Sequence, residues 1–125
     1  MGLGRFVASL FRKKTEPRAP LPEAEERDYG LSELAAYDGS DLGKPLLVGI
    51  RGQVYDVTRG RDFYGPGGPY AMFAGKDCTR ALAKMSFEPE LFSGNTDGLE
   101  PEELEKLEEW IEMFEGKYRR IGRLL

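Results

Sequence analysis

An α+β domain is the fold class this chain predicts, on three observations. Two short β-rich runs flank a glycine turn near Gly52, and a long amphipathic helical pattern begins at Pro101. Between them lies a Gly/Pro loop, Gly60–Asp77, that holds the tyrosines Tyr64 and Tyr70. A length of 125 residues gives room for one domain with a modest core plus tails.

The chain opens on a basic unit, Met1–Lys14. Leu3, Phe6, Val7, Leu10 and Phe11 recur at helical spacing, and Arg12-Lys13-Lys14 follows at once. Three readings stand for it: a membrane-surface anchor, an organelle-targeting peptide, or a frayed end without a role. Myristoylation at Gly2 is rejected, because Phe6 stands where Ser or Thr is required. Thr15–Arg27, with Pro17, Pro20 and Pro22, reads as a semi-extended linker. The expected division is therefore a basic segment and linker over 1–27 and a globular domain over 28–125.

Within the domain, Leu31–Tyr37 reads as a short helix with Leu34 and Ala35 beside Leu31 and with Asp38-Gly39 ending it. Pro45–Ile50 and Val54–Val57 form the expected hairpin about Arg51-Gly52-Gln53. Asp77 is the expected N-cap of a helix over Cys78–Met85. Ser86–Gly98 reads as a loop, with Leu91 and Phe92 as packing anchors. The last helix is expected over Pro101–Glu115, with Leu104, Leu107, Trp110 or Ile111, and Phe114 on its apolar stripe and Gly116 ending it.

Composition removes several classes of function. The chain is 40% hydrophobic and 32% charged, and no apolar run reaches the length of a membrane span. A net charge of −4 argues against nucleic acid as the main partner. Cys78 is the lone cysteine, which excludes an internal disulfide and fits a reducing compartment. Histidine is absent altogether, so serine–histidine and cysteine–histidine catalysis and most zinc sites are excluded. No nucleophile–base pair is visible, and the chain is expected to be no enzyme.

Four stretches carry a family resemblance over about Tyr29–Leu125. They are Leu34–Gly39, Gly52–Thr58, Tyr64–Asp77 and Phe114–Gly122. Together, in that order, they resemble the membrane-associated progesterone receptor family, a branch of the cytochrome b5-like haem/steroid-binding domains. The resemblance implies a cytochrome b5-like α+β fold, in which a small sheet floors a pocket walled by short helices. In cytochrome b5 a His-Pro-Gly-Gly turn supplies an axial histidine; here the matching turn is Gly65-Pro66-Gly67-Gly68, and the second ligand histidine is missing too.

What the resemblance implies for the site follows residue by residue. Tyr70 matches the tyrosine that holds a non-covalent b-type haem by its iron, and Tyr64, Lys117 and Tyr118 match positions lining the pocket. A phenolate favours ferric over ferrous iron, so electron relay of the cytochrome b5 kind is disfavoured. Lys117 would pair with a haem propionate, and the Tyr64 hydroxyl would bond the ligating oxygen or a propionate. From local chemistry alone, other readings remain. Tyr70 and Tyr64 can be packing residues with satisfied hydroxyls, Lys117 a charge complementing the helix dipole, and Cys78 a small buried side chain.

The implied ligands are haem and a steroid or other apolar molecule. Implied partners are cytochromes P450 or other membrane proteins, a second copy through haem, and a membrane surface touched by residues 1–14. The implied location is intracellular, on the cytosolic face of endomembranes. The glutamates of the last helix read either as a docking face for a basic partner or as a solvated outer surface. A haem-free, sterol-binding interaction adaptor is the alternative function.

Overall fold

A computed structural model describes residues 21–125. The basic segment and the linker as far as Pro20 lie outside the described residues. Strand β1, Leu47–Ile50, pairs antiparallel with β2, Gln53–Asp56, with Ile50 opposite Gln53. The two residues between them, Arg51 and Gly52, have φ of 51° and 76°, the left-handed pair that a tight hairpin turn requires. Gly52 meets that demand without strain.

A third strand, β3 at Arg119–Arg123, pairs antiparallel with the other side of β2, giving the order β1-β2-β3. The sequence pattern did not predict it. Only Ile121 of its residues is buried, so it lacks the apolar alternation that marks a strand. Its backbone pairing, with a bulge opposite Val54 and Tyr55, holds it instead.

The sheet is covered on both faces. Leu47, Val54 and Ile121 face a smaller core with Tyr29 and Leu34. Val48, Ile50 and Tyr55 face the larger one, with Tyr64, Phe73, Leu82, Leu107 and Phe114. Alternation of side chains along each strand divides the two. Four α-helices surround the sheet: α1 at Leu31–Leu34, α2 at Arg61–Tyr64, α3 at Thr79–Lys84 and α4 at Pro101–Lys117. Single 3-10 turns extend α1 over Ala35–Tyr37 and lie at Ala71–Phe73 and Pro89–Leu91.

Several element boundaries differ from expectation for identifiable reasons. Helix α3 begins at Thr79, with Cys78 in the cap position, so Asp77 lies one residue outside. Its carboxylate still accepts the Thr79 N–H at 3.1 Å and the Thr79 hydroxyl at 2.6 Å. Helix α4 runs through Gly116 and stops where Tyr118 turns extended, φ −128° and ψ 157°, to enter β3. Sheet pairing ends this helix, and glycine does not. Its start has a feature missed in sequence: the Glu103 carboxylate accepts the Glu100 N–H at 2.8 Å. In α1 only Leu34 is buried, and Leu31 and Ala35 are exposed. Leu104 likewise stays exposed on α4.

The two ends of the described chain meet. Asp28 accepts from the Arg123 N–H at 3.0 Å and from its guanidinium at 2.9 Å. That side-chain bond holds the Asp28 carboxyl below its ordinary range. Tyr29 donates its N–H to Arg123 at 2.9 Å, and its hydroxyl reaches the Glu25 carbonyl at 2.7 Å.

Helix α4 is seated by Leu107 and Phe114, both fully buried, and the ring makes the aromatic contacts. Phe114 is fully buried, with centroids 5.6 Å from Tyr55, 5.8 Å from Tyr64 and 5.4 Å from Tyr118. Phe114→Ala is expected to cost about 3–5 kcal/mol, as large aromatic truncations in a core do. The exposed Glu112→Ala should stay within about 0.5 kcal/mol. Urea midpoints of the two variants check this, and equal losses would contradict the seating role.

Candidate functional site

The Gly/Pro loop folds back on itself through its own backbone. Gly65 donates to the Arg61 carbonyl at 2.9 Å, Gly68 to Gly65 at 3.0 Å, and Tyr70 to Phe63 at 2.8 Å. Closing Tyr70 onto Phe63 brings the rings of Tyr64 and Tyr70 to 6.0 Å. Tyr118 comes from the other direction, as the first extended residue after α4, and meets Tyr64 edge-on at 5.9 Å.

All four residues expected at the site line one cleft of about 210 Å3. Tyr64, Tyr70, Lys117 and Tyr118 share it with Phe63, Trp110 and Met113. Tyr64 is buried at its floor, Tyr70 and Tyr118 are half-buried, and Lys117 is exposed at the rim. Tyr70 stacks on Phe73 at 5.3 Å and stands edge-on to Trp110 at 6.1 Å. The cleft therefore combines apolar walls with three hydroxyls and one ammonium.

The sequence pattern did not single out Phe63, Met113 and Trp110 as pocket residues. A signal existed: Trp110, Met113 and Lys117 recur at helical spacing, which puts them on one side of α4. No local signal marks Gly60. A Cβ there would lie 2.5 Å from the Tyr118 hydroxyl oxygen, so the absent side chain is what lets Tyr118 reach this position.

Gly65 is closely enclosed by backbone. A Cβ at Gly65 would come within 2.6 Å of the Arg61 carbonyl oxygen, a backbone atom. This turn therefore leaves no room for a side chain at Gly65 unless the backbone shifts.

Burial pushes the Tyr64 phenol well above the ordinary tyrosine value, and the neighbouring Tyr118 and Tyr70 hydroxyls add to the rise. Burial raises Tyr118 as well, with the Tyr64 hydroxyl acting in the opposite direction. Burial thus favours the neutral phenol of Tyr64 over its phenolate. Cys78 is fully buried, its thiol raised by that burial, and its sulfur lies 3.3 Å from the Phe73 carbonyl; it takes no part in the cleft.

Larger concavities exist elsewhere. One of about 420 Å3 is bordered by Arg51, Asp77, Thr79, Gly94, Thr96 and Leu104, and another of about 330 Å3 lies behind Lys117 and Tyr118 against Leu21–Ala24. Neither has the aromatic walls on which a flat apolar ligand packs. The tyrosine cleft is the candidate site on chemical grounds, though not on size.

Its donor set suits haem. A phenol oxygen supplies a hard ligand, apolar rings supply packing for a porphyrin face, and Lys117 supplies a cation for a carboxylate at the rim. At about 210 Å3 the cleft would take the edge of such a ligand rather than enclose all of it.

The Tyr64 environment has a pH consequence. The unfolded chain releases a tyrosine proton near pH ~10, while the folded chain retains the one on Tyr64 above that. Stability present below pH ~10 is therefore expected to fall as pH rises beyond it. Tyr64→Phe should shrink that fall, and Tyr29, Tyr55 and Tyr118, raised in the same sense, should retain the remainder. Urea midpoints at stepped alkaline pH check it; identical slopes for both proteins would contradict it.

Comparison with known proteins gives the family and the fold. The model of the cytochrome b5-like haem/steroid binding domain matches residues 30–124. A membrane steroid-binding protein 1 of Oryza sativa subsp. japonica is 56% identical over 89% of this chain and 49% of its own length. The membrane-associated progesterone receptor component 2 of Rattus norvegicus is 39% identical over 87% of this chain and 51% of its own length. The chain thus spans about half the length of these curated relatives. A solved Arabidopsis thaliana protein with a cytochrome b5-like fold superposes with a TM-score of 0.74 at 42% identity, covering 86% of this chain and 98% of that one. The chain belongs to the cytochrome b5-like haem/steroid-binding domain family, in its membrane-associated progesterone receptor branch.

Proposed function

We propose that the tyrosine cleft binds ferric haem through Tyr70 and that a steroid or similar apolar molecule is its other occupant. The observation that carries this is the convergence of Tyr64, Tyr70, Lys117 and Tyr118 from two separate elements on one aromatic-walled cleft. Haem, when bound, supplies an iron whose ferric state a phenolate favours. Tyr70 is assigned as the ligand from its match to the family's ligating tyrosine, and its half-buried place at the mouth of the cleft supports that role. Tyr64 then donates its hydroxyl to the ligating oxygen or a propionate, and Lys117 pairs with a propionate at the rim.

On this reading the protein is a non-enzymatic carrier, sensor or regulator of membrane partners such as cytochromes P450. The names of its relatives support membrane association, and among the described residues no helix is long and apolar enough to cross a membrane. Peripheral contact through residues 1–14, on the cytosolic face of endomembranes, fits both. A homodimer through an exposed haem face belongs to the same proposal. The glutamates of α4 supply mostly exposed acid, part of it already paired: Glu108 with Arg51, Glu109 with Lys106, and Glu103 with Lys84.

A haem-free sterol-binding adaptor is the second reading. The modest cleft volume and the steroid-binding name of the rice relative favour it.

Hemin titration separates the two. The wild-type chain is expected to give a high-spin ferric spectrum, Tyr70→Phe to abolish it, and Tyr64→Phe to keep the coordination with weaker binding. An unchanged spectrum in Tyr70→Phe would overturn the ligand assignment. Absence of any Soret band, together with saturable sterol binding, would establish the adaptor.

A further inference from the structure

Trp110, the only tryptophan of the chain, stands between two concavities. One is the tyrosine cleft; the other is a groove of about 300 Å3 lined by Met85, Lys106, Glu109, Trp110 and Met113. The indole N–H donates to the Met85 sulfur at 3.2 Å. On the cleft side the same ring stands edge-on to Tyr70 at 6.1 Å and to Phe73 at 6.3 Å. One thioether thus helps fix the wall on which Tyr70 packs.

Met85 is also the most exposed methionine among the described residues. It follows the last residue of α3 with φ of 51°, in the left-handed region, and is 51% exposed. Met72 and Met113 are half-buried, and Cys78 has no exposure. Oxidation of methionine follows access, so Met85 is the first sulfur a small oxidant meets among the described residues.

We propose that Met85 is a site of reversible oxidation to methionine sulfoxide by hydrogen peroxide, and that this oxidation moves Trp110 and loosens the tyrosine cleft. A sulfur lone pair attacks one peroxide oxygen and the O–O bond breaks. The S–O bond forms, and the second oxygen leaves as water with both protons. Sulfur loses two electrons and peroxide gains them. The N–H contact engages one lone pair and leaves the other for attack.

The product changes what Trp110 meets. A sulfoxide oxygen is a polar acceptor standing one bond further out than the sulfur. The indole must follow that oxygen or lose its partner, and either movement disturbs the edge-on contact with Tyr70. Methionine sulfoxide reductases reverse the step, which makes it a switch.

The test uses the full chain, limiting hydrogen peroxide, peptide mass analysis and tryptophan emission, which Trp110 alone reports. Oxygen is expected on Met85 before Met72 and Met113, with a red shift in emission that methionine sulfoxide reductase reverses. Met85→Leu should lose the peroxide-induced shift. Met85→Gln, polar without oxidation, should show red-shifted emission before any peroxide is added. Earlier oxidation of Met113, or a shift that persists in Met85→Leu, would overturn the proposal.

Discussion

Everything at the site depends on how Phe114 is held. This ring joins the sheet through Tyr55, the Gly/Pro loop through Tyr64, and the start of β3 through Tyr118. Three segments far apart in sequence meet around one apolar anchor, and Tyr64 and Tyr118, which touch it, line the cleft. Because the anchor is aromatic, it fixes orientation as well as separation: edge-on and tilted ring contacts prefer particular geometries. Tyr70 then adds a second tier by stacking on Phe73. The hydroxyls end up close together because the rings beneath them are packed.

The backbone of the loop imposes the second constraint. Cytochrome b5 chemistry needs an imidazole on the Gly/Pro turn, and here the Arg61 carbonyl occupies the space where a side chain at Gly65 would start. A side chain at Gly65 would therefore require the backbone around Arg61 to shift. The aromatic pair on either side of the turn is carried by a main-chain bond from Tyr70 to Phe63, which needs no side chain at positions 65 to 68.

Much of this was legible in the sequence. The β1–β2 hairpin followed from two apolar runs about a glycine, and α4 followed from its apolar stripe and from Pro101. The site residues Tyr64, Tyr70, Lys117 and Tyr118 came from ordered family motifs, and the structure brings all of them to one cleft. What stayed hidden has tertiary causes. Strand β3 has a charged, glycine-containing sequence and exists because β2 offers it an edge. Helix α4 passes Gly116 because its end is set by that pairing, which overrides glycine's local preference to stop a helix. Trp110, Met113 and Gly60 acquire their roles only when α4 and the loop are side by side.

The central claim is that one cleft, between the Gly/Pro loop and the end of α4, is where the ligand binds. Backbone amide NMR of the full chain during hemin titration tests it directly, because ferric haem broadens resonances near it. Broadening centred on Phe63–Tyr70 and Trp110–Tyr118 is expected, with the groove around Arg51, Thr79 and Thr96 unaffected. Broadening centred on that groove, or spread evenly over the surface, would contradict it.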